Sequence, residues 1–458
     1  MESNALKTEP IATLLVRMAL PAICAQLVTL LYNLVDRVFI GQMENGTLAM
    51  AAIGICAPIV TIVTAFTNLF GRGGAPLAAM EMGKKHIERA EQYVNHSFFA
   101  LALVSLTITF LVSLFKKPIL IAFGASDATL PFALDYLSIY IAGTFFIQLS
   151  VGMNDYITTQ GFAKTAMTTT AIGAILNTLL DPLFIFGLGW GVRGAALATL
   201  LSQMASFLWA MRFLLGPKTR LRLSFRTFHA QSSIIQDILK LGASPFFMSL
   251  SEGVLVLCFN TQAYRLGGDV AVGAMAILFS MFQFLLLPVE GVTIGAQPIL
   301  SYNYGAQQSG RVRKTIRLTL QITLTFTFAA TALLVLFPRP VLAVFTHDPA
   351  LIDLGSHLLP VYMAGCFGLG ANSTFQQTYN ALGAGGRSFF FAFFRKGILL
   401  VPLLYLLPAL TNGGLVALML AEPVSDALTT LVNALSFRGF VHQKLQPSSN
   451  LRSVLSFE

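Results

Sequence analysis

The sequence predicts an all-α integral membrane protein, with twelve transmembrane helices in two six-helix bundles related by a pseudo-twofold axis. Three observations carry that prediction. Of the 458 residues, 55% are apolar and 11% are charged, against roughly 25% charged in a soluble domain. Twelve stretches are long and apolar enough to cross about 30 Å of hydrocarbon, which takes about 20 residues of helix. The two halves of the chain also repeat one another at a constant spacing.

Composition narrows the class first. A mean hydropathy of +0.73 excludes a disordered chain, a secreted disulfide scaffold and an ordinary soluble enzyme. The 37 Gly and 19 Pro are better tolerated in bilayer-spanning helices than in exposed ones. Cys24, Cys56, Cys258 and Cys366 fall in apolar stretches without CxxC or paired spacing, so they read as buried free thiols. The first apolar run, from Ile11 to Ile40, is too long for a cleavable signal and lacks a small-residue cleavage site.

The twelve segments centre near residues 28, 60, 104, 146, 176, 203, 252, 286, 325, 366, 399 and 425. Connections are short except for a basic stretch with Lys218, Arg220, Arg222 and Arg226. We expect a first lobe over 1–216, a linker over 217–236 and a second lobe over 237–458. The linker reads as an interfacial segment turning Leu221, Leu223 and Phe225 toward lipid. Assigning each Lys and Arg to a side of the membrane places 23 with the two termini and the loops after even-numbered spans. Among these are Arg72, Arg395 and Lys396. Six lie on the other side: Arg37, Lys116, Lys117, Arg193, Arg265 and Arg339. The positive-inside rule then puts both termini in the cytoplasm. The net charge of +9 is accounted for by topology and anionic lipid, with no nucleic-acid partner expected.

The halves align at an offset of 222: Pro76 with Pro298, Gly83 with Gly305, Pro118 with Pro340, Gly143 with Gly365, Gly161 with Gly383. Pro21 and Pro245 pair at 224, so a two-residue indel precedes. Each half holds an even number of spans, which makes the repeat parallel, about an axis along the membrane normal. Two bundles around a shared cavity suit alternating access and favour a transporter.

An ionisable residue in mid-membrane costs several kcal/mol and marks a functional hypothesis. Asp36, Asp155, Asp181, Glu252, Glu290, Glu422 and Asp426 fall in spans. Asn177 and Asp181 share a helix face, with Pro182 loosening the ladder beside them and Thr199 on the next span. With Asp36 they make an all-oxygen set that can hold a hard cation or a shared proton, or else knit helices together. Glu290, between Pro288 and Gly291, either faces a cavity and selects cationic substrates or bonds within its own broken helix. Glu252 has the same two readings, with Ser249 and Ser251 near enough to satisfy it, and Asp155 beside Asn154 stays open. Glu422 and Asp426, toward the end of the last span, read as solvated or interfacial. Some of the 38 Phe and 15 Met can line a greasy, adaptable pocket. The six His form no metal pattern, and GRGGAP lacks the Lys-Ser/Thr of a phosphate loop.

The segments YNLVDRVFIGQ, LNTLLDPLFIFGLGWGVRGAALAT and GAQPILSYNYGA resemble the multidrug and toxic compound extrusion (MATE) transporters, specifically MepA-like members near the DinF branch. The resemblance covers nearly the whole chain. It implies a two-lobed antiporter in a bacterial plasma membrane that exports organic cations and amphipathic drugs, coupled to H⁺ or Na⁺ and needing no other cofactor. It implies a cation site at Asp36, Asn177, Asp181 and Thr199, with Tyr136 beside it, and a bending point in the first helix at Pro21. A monomer is expected. The NorM branch places its cation-binding acids in the second lobe, a pattern Glu252 matches loosely. Asn260, the repeat partner of Asp36, supports a site in the first lobe. Two alternative functions fit the residues less well. A lipid-linked oligosaccharide flippase would line its cavity with cations for pyrophosphate, whereas the mid-span charges here read as mainly acidic. A membrane-embedded enzyme would need a nucleophile–base pair or a metal set, and no such pattern is visible in the sequence.

Overall fold

The computed structural model describes residues 3–224, 229–346, 348–411 and 413–446, and within them every regular element is helical. The spans are α1 (Ile11–Gly41), α2 (Gly46–Gly83), α3 (Ile87–Ala122), α4 (Leu130–Ala142 continuing as Thr144–Thr159), α5 (Ala163–Gly187) and α6 (Gly191–Leu214). The second half supplies α7 (232–267), α8 (269–305), α9 (Ser309–Leu336), α10 (Pro349–Ala381), α11 (Gly385–Thr411) and α12 (Gly414–Lys444). Helices α7 and α8 run together without a loop. Only Gly268 separates them, with φ of 64° and ψ of −156°, a backbone state open to glycine and closed to side chains with a Cβ.

The repeat is visible in the backbone. α4 is bent by 53° at Gly143, and α10 breaks into a 3₁₀ turn over Ala364–Gly368, around the equivalent Gly365. Lys85 and Gln307 are the two described non-glycine residues with positive φ, and they stand 222 apart. Each follows the end of a helix in the left-handed conformation that lets the next amide reach back to a free carbonyl. His86 N–H donates to the Glu81 carbonyl at 2.9 Å, and Gln308 N–H to the Asn303 carbonyl at 2.8 Å. The turns after α4 and α10 match in the same way, Phe162 to Ile157 and Ala384 to Tyr379.

At the end of the molecule that carries the termini, the halves meet through backbone. A Cβ on Gly83 would stand 2.1 Å from the Tyr302 carbonyl oxygen, and one on Gly305 2.0 Å from that of Met80. Both pairs obey the 222 offset, so the pseudo-twofold axis passes between α2 and α8 here, as in any isologous contact. The lobes also exchange the first turns of their first helices. Leu14, Leu15 and Met18 of α1 pack with Ile299, Phe375 and Tyr379, while Ile234 and Ile238 of α7 pack with Val94, Met153 and Leu214.

The linker differs from the interfacial reading. Leu221 and Leu223 are buried against the first lobe and turned away from lipid. The physical reason is a set of side-chain acceptors for otherwise unpaired backbone. Gln160 Oε1 accepts the Arg220 and Leu221 amides at 2.8 and 3.2 Å, and Glu91 and Asn95 accept those of Arg222 and Ser224. Phe225 and Arg226 lie outside the described residues. Of the four thiols, Cys56 and Cys366 are buried, while Cys24 and Cys258 are half-exposed.

Candidate functional site

Two polar regions lie within the spans. The first is in the interior of the first lobe. α5 presents Asn177 and Asp181 one turn apart on its buried face, just before Pro182 and a π turn over Leu183–Gly187. Proline withholds one ladder hydrogen bond there, and π turns concentrate at functional positions. Asn177 Nδ2 donates to Asp181 Oδ1 at 3.3 Å and to Thr199 Oγ1 of α6 at 3.4 Å. Asp36 comes from α1, its carboxyl within hydrogen-bonding reach of Asp181. Tyr136 of α4 is buried nearby and stacks on Tyr140 at 5.8 Å. Three buried oxygens have no hydrogen-bond partner: Asp36 Oδ1, Asn177 Oδ1 and Asp181 Oδ2, one from each residue. An all-oxygen set with one free acceptor per residue fits a proton shared between carboxylates or a Na⁺ ion. Pro21 is buried in α1, which runs unbroken through it.

The second region is a cavity of about 460 Å³ between the lobes, above the glycine seam. Asp155, Glu252 and Glu290 all line it, so the three substrate candidates share one space. Gln26 Nε2 of α1 donates to Glu290 Oε2 at 3.3 Å, a partner outside α8, which runs helical through Pro288 and Gly291 where a break was expected. Asp155 Oδ2 lies against α2 where a Cβ on Gly71 would meet it at 2.6 Å.

Sequence reasoning missed the cations in this cavity. Arg72, Arg395 and Lys396 were assigned to cytoplasmic flanks, yet all three line the cavity wall. Arg395 and Lys396 sit in a π turn over Phe394–Leu400, inside α11. The turn sends adjacent side chains to different neighbours. Arg395 Nε bonds Asp426 and its Nη2 reaches Glu422 Oε1 at 3.1 Å, while Lys396 Nζ donates to Glu252 Oε1 at 2.9 Å. Glu422 and Asp426 are therefore buried ion-pair partners, contrary to the solvated reading. The signal was present, since both cations fall within four residues of the centre assigned to that span. The pocket mixes apolar and polar walls. Among the described lining residues Phe391 and Met248 are the one Phe and the one Met, and Leu286, Ile294 and Leu369 stand beside amides such as Asn68, Gln283, Gln297 and Gln377.

Comparison with known proteins bears on the fold and the family. The MatE family model matches residues 21–183 and again 246–406, once in each half. "Multidrug export protein MepA" of Staphylococcus haemolyticus (strain JCSC1435) is 28% identical over 420 residues, 90% of this chain and 91% of that one. Its namesake from Staphylococcus aureus (strain NCTC 8325 / PS 47) is 24% identical, covering 92% and 93%. Among solved structures, a multidrug resistance MATE family transporter described as outward-facing superposes with a TM-score of 0.90 at 23% identity, covering 97% and 99%. A transporter of the MOP superfamily from Pyrococcus furiosus, described as having a binding pocket of reversed polarity, gives 0.91 at 23%, covering 98% and 99%.

Proposed function

The chain belongs to the MatE family of transporters, and from that premise we propose that it is a multidrug efflux antiporter driven by H⁺ or Na⁺ bound at Asp36, Asn177, Asp181 and Thr199. As a MATE-type transporter it is not an enzyme. The observation that carries the coupling is the path of α1. Its first turns pack on the second lobe, Gln26 in its middle bonds Glu290 in the cavity, and Asp36 near its far end faces Asp181. Two carboxylates at that distance in a low dielectric repel, and a bound cation removes the repulsion. α1 then settles toward α5, bending at Pro21, and the Gln26–Glu290 bond transmits the change to the cavity. Drug affinity differs between the two arrangements, which is what coupling requires. Tyr136 closes the cation site on the α4 side.

Glu290 and Asp155 supply the negative charge that organic cations meet in the cavity, and Glu252, the third candidate, is paired with Lys396. The protein acts as a monomer, with lobes at 1–216 and 237–458 and a linker at 217–236 whose residues 220–224 bond to the first lobe. Removing the three cavity cations from the basic tally leaves 20 against six, which still favours cytoplasmic termini in a bacterial plasma membrane. Cations in the cavity do weaken the earlier argument against a flippase. Drug export remains the better reading because Arg395 and Lys396 are already committed to carboxylates, and because the curated relatives are drug exporters.

The test is drug efflux from proteoliposomes with H⁺ and Na⁺ gradients imposed separately. Asp36→Asn mimics the loaded state and abolishes gradient-driven efflux, while equilibrium drug binding stays within a few-fold. Asp181→Asn on top adds little. Gradient-dependent efflux near wild type in Asp36→Asn overturns the site.

A further inference from the structure

The three cavity cations are not equivalent. Arg395 is held by two buried carboxylates of α12, and Lys396 by Glu252 of α7. Arg72 of α2 faces the same cavity, yet among the described residues it has no carboxylate within 4.0 Å and makes no hydrogen bond. Asp155 and Glu290 lie close enough to feel its charge without touching it. A half-buried guanidinium keeps its five N–H donors in a planar fork suited to a carboxylate. Leaving that fork unpaired is costly unless a ligand or water takes the donors up.

We propose that Arg72 is a carboxylate-binding subsite, and that the cavity takes amphoteric substrates whose carboxylate pairs with Arg72 while their cationic group faces Glu290 and Asp155. This rests on the drug-export reading and names the substrate class within it. The cavity volume of about 460 Å³ falls in the range of drug-sized sites, roughly 300–1,000 Å³. The surrounding amides, Asn68, Gln297 and Gln377, can donate or accept and so adapt to different scaffolds. A substrate with one charge of each sign offers Arg72 a carboxylate and the acids a cation, whereas a simple cation leaves the Arg72 fork without a partner. Discrimination of this kind is worth about tenfold, because it rests on a half-buried polar group left without a partner.

A matched pair of probes tests this. Rhodamine B carries a free carboxylate beside its cationic xanthene, and its ethyl ester carries the cation alone. Binding to the purified full-length protein is read by fluorescence polarisation, and efflux of each dye is followed in proteoliposomes. In wild type we expect rhodamine B to bind at least as tightly as the ester. Arg72→Gln should weaken rhodamine B about tenfold and tighten the ester, because a like charge is gone. Arg72→Lys should keep the wild-type order with a smaller margin. Opposite signs in one variant separate recognition from misfolding, which weakens both dyes together. The subsite is overturned if Arg72→Gln weakens both equally or leaves rhodamine B unchanged; export of the ester by that same variant would leave the efflux reading standing. Wild type that neither binds nor exports either dye overturns both readings.

Discussion

Arg395 offers the sharpest test of how the second lobe is held together. Arg395→Met removes the cation shared by Asp426 and Glu422, whose side chains are 1% and 9% exposed. Breaking a buried pair from one side costs about 3–5 kcal/mol, because the charge left behind is uncompensated. Here two are left behind, inside a membrane span. That loss is a large share of the roughly 5–15 kcal/mol that holds a typical fold. At roughly 2–4 °C per kcal/mol for a lobe of this size, the melting midpoint drops by about 6–20 °C. With the half-exposed Cys24 and Cys258 replaced by Ser, a thiol-reactive dye in detergent reads it, since Cys56 and Cys366 are buried in the folded protein and label on unfolding. Arg395→Met with Glu422→Gln and Asp426→Asn removes all three charges, and most of the loss should return. A midpoint for Arg395→Met within about 2 °C of wild type, or a triple variant worse than the single one, refutes the argument that the pair balances buried charge.

Three further outcomes are expected. A cysteine at Asn45 should label with an impermeant thiol reagent from outside the cell and one at Ser309 should not; the reverse pattern would contradict cytoplasmic termini. Gly305→Ala places a Cβ 2.0 Å from the Met80 carbonyl oxygen and should cut efflux at least tenfold by prising the seam apart, whereas Gly310→Ala meets nothing within 4 Å and should be silent; equal effects of the two would remove the seam from the transport cycle. Glu290→Gln should weaken efflux of a permanent cation more than that of a neutral amphiphile, and equal losses would reassign Glu290 to coupling through its bond from Gln26.

The span count, the repeat and the oxygen set were legible because each rests on local chemistry. Twenty apolar residues in a row need a bilayer wherever they sit. Gly83 and Gly305, Gly143 and Gly365 announce shared breaks and turns at fixed spacing. Asn177 and Asp181 share a helix face by arithmetic alone. The linker failed because its fate depends on acceptors far away in sequence. Nothing near Leu221 says that Gln160 will satisfy its backbone amide.

What the sequence by itself determined is the membrane class, the parallel duplication, the family and the carboxylates that must find partners. The tertiary structure alone decided which partner each charge found. A hydropathy pattern weighs a cation as a cost and assigns it to the nearest water. Arg395 and Lys396 avoid that cost by meeting Asp426, Glu422 and Glu252 across 31, 27 and 144 residues of chain. Among the described residues Arg72 finds no such partner, and the cavity it faces exists only once α2, α4, α7, α8, α10, α11 and α12 converge. Pairing energies depend on distance in space, and sequence separation carries no record of it.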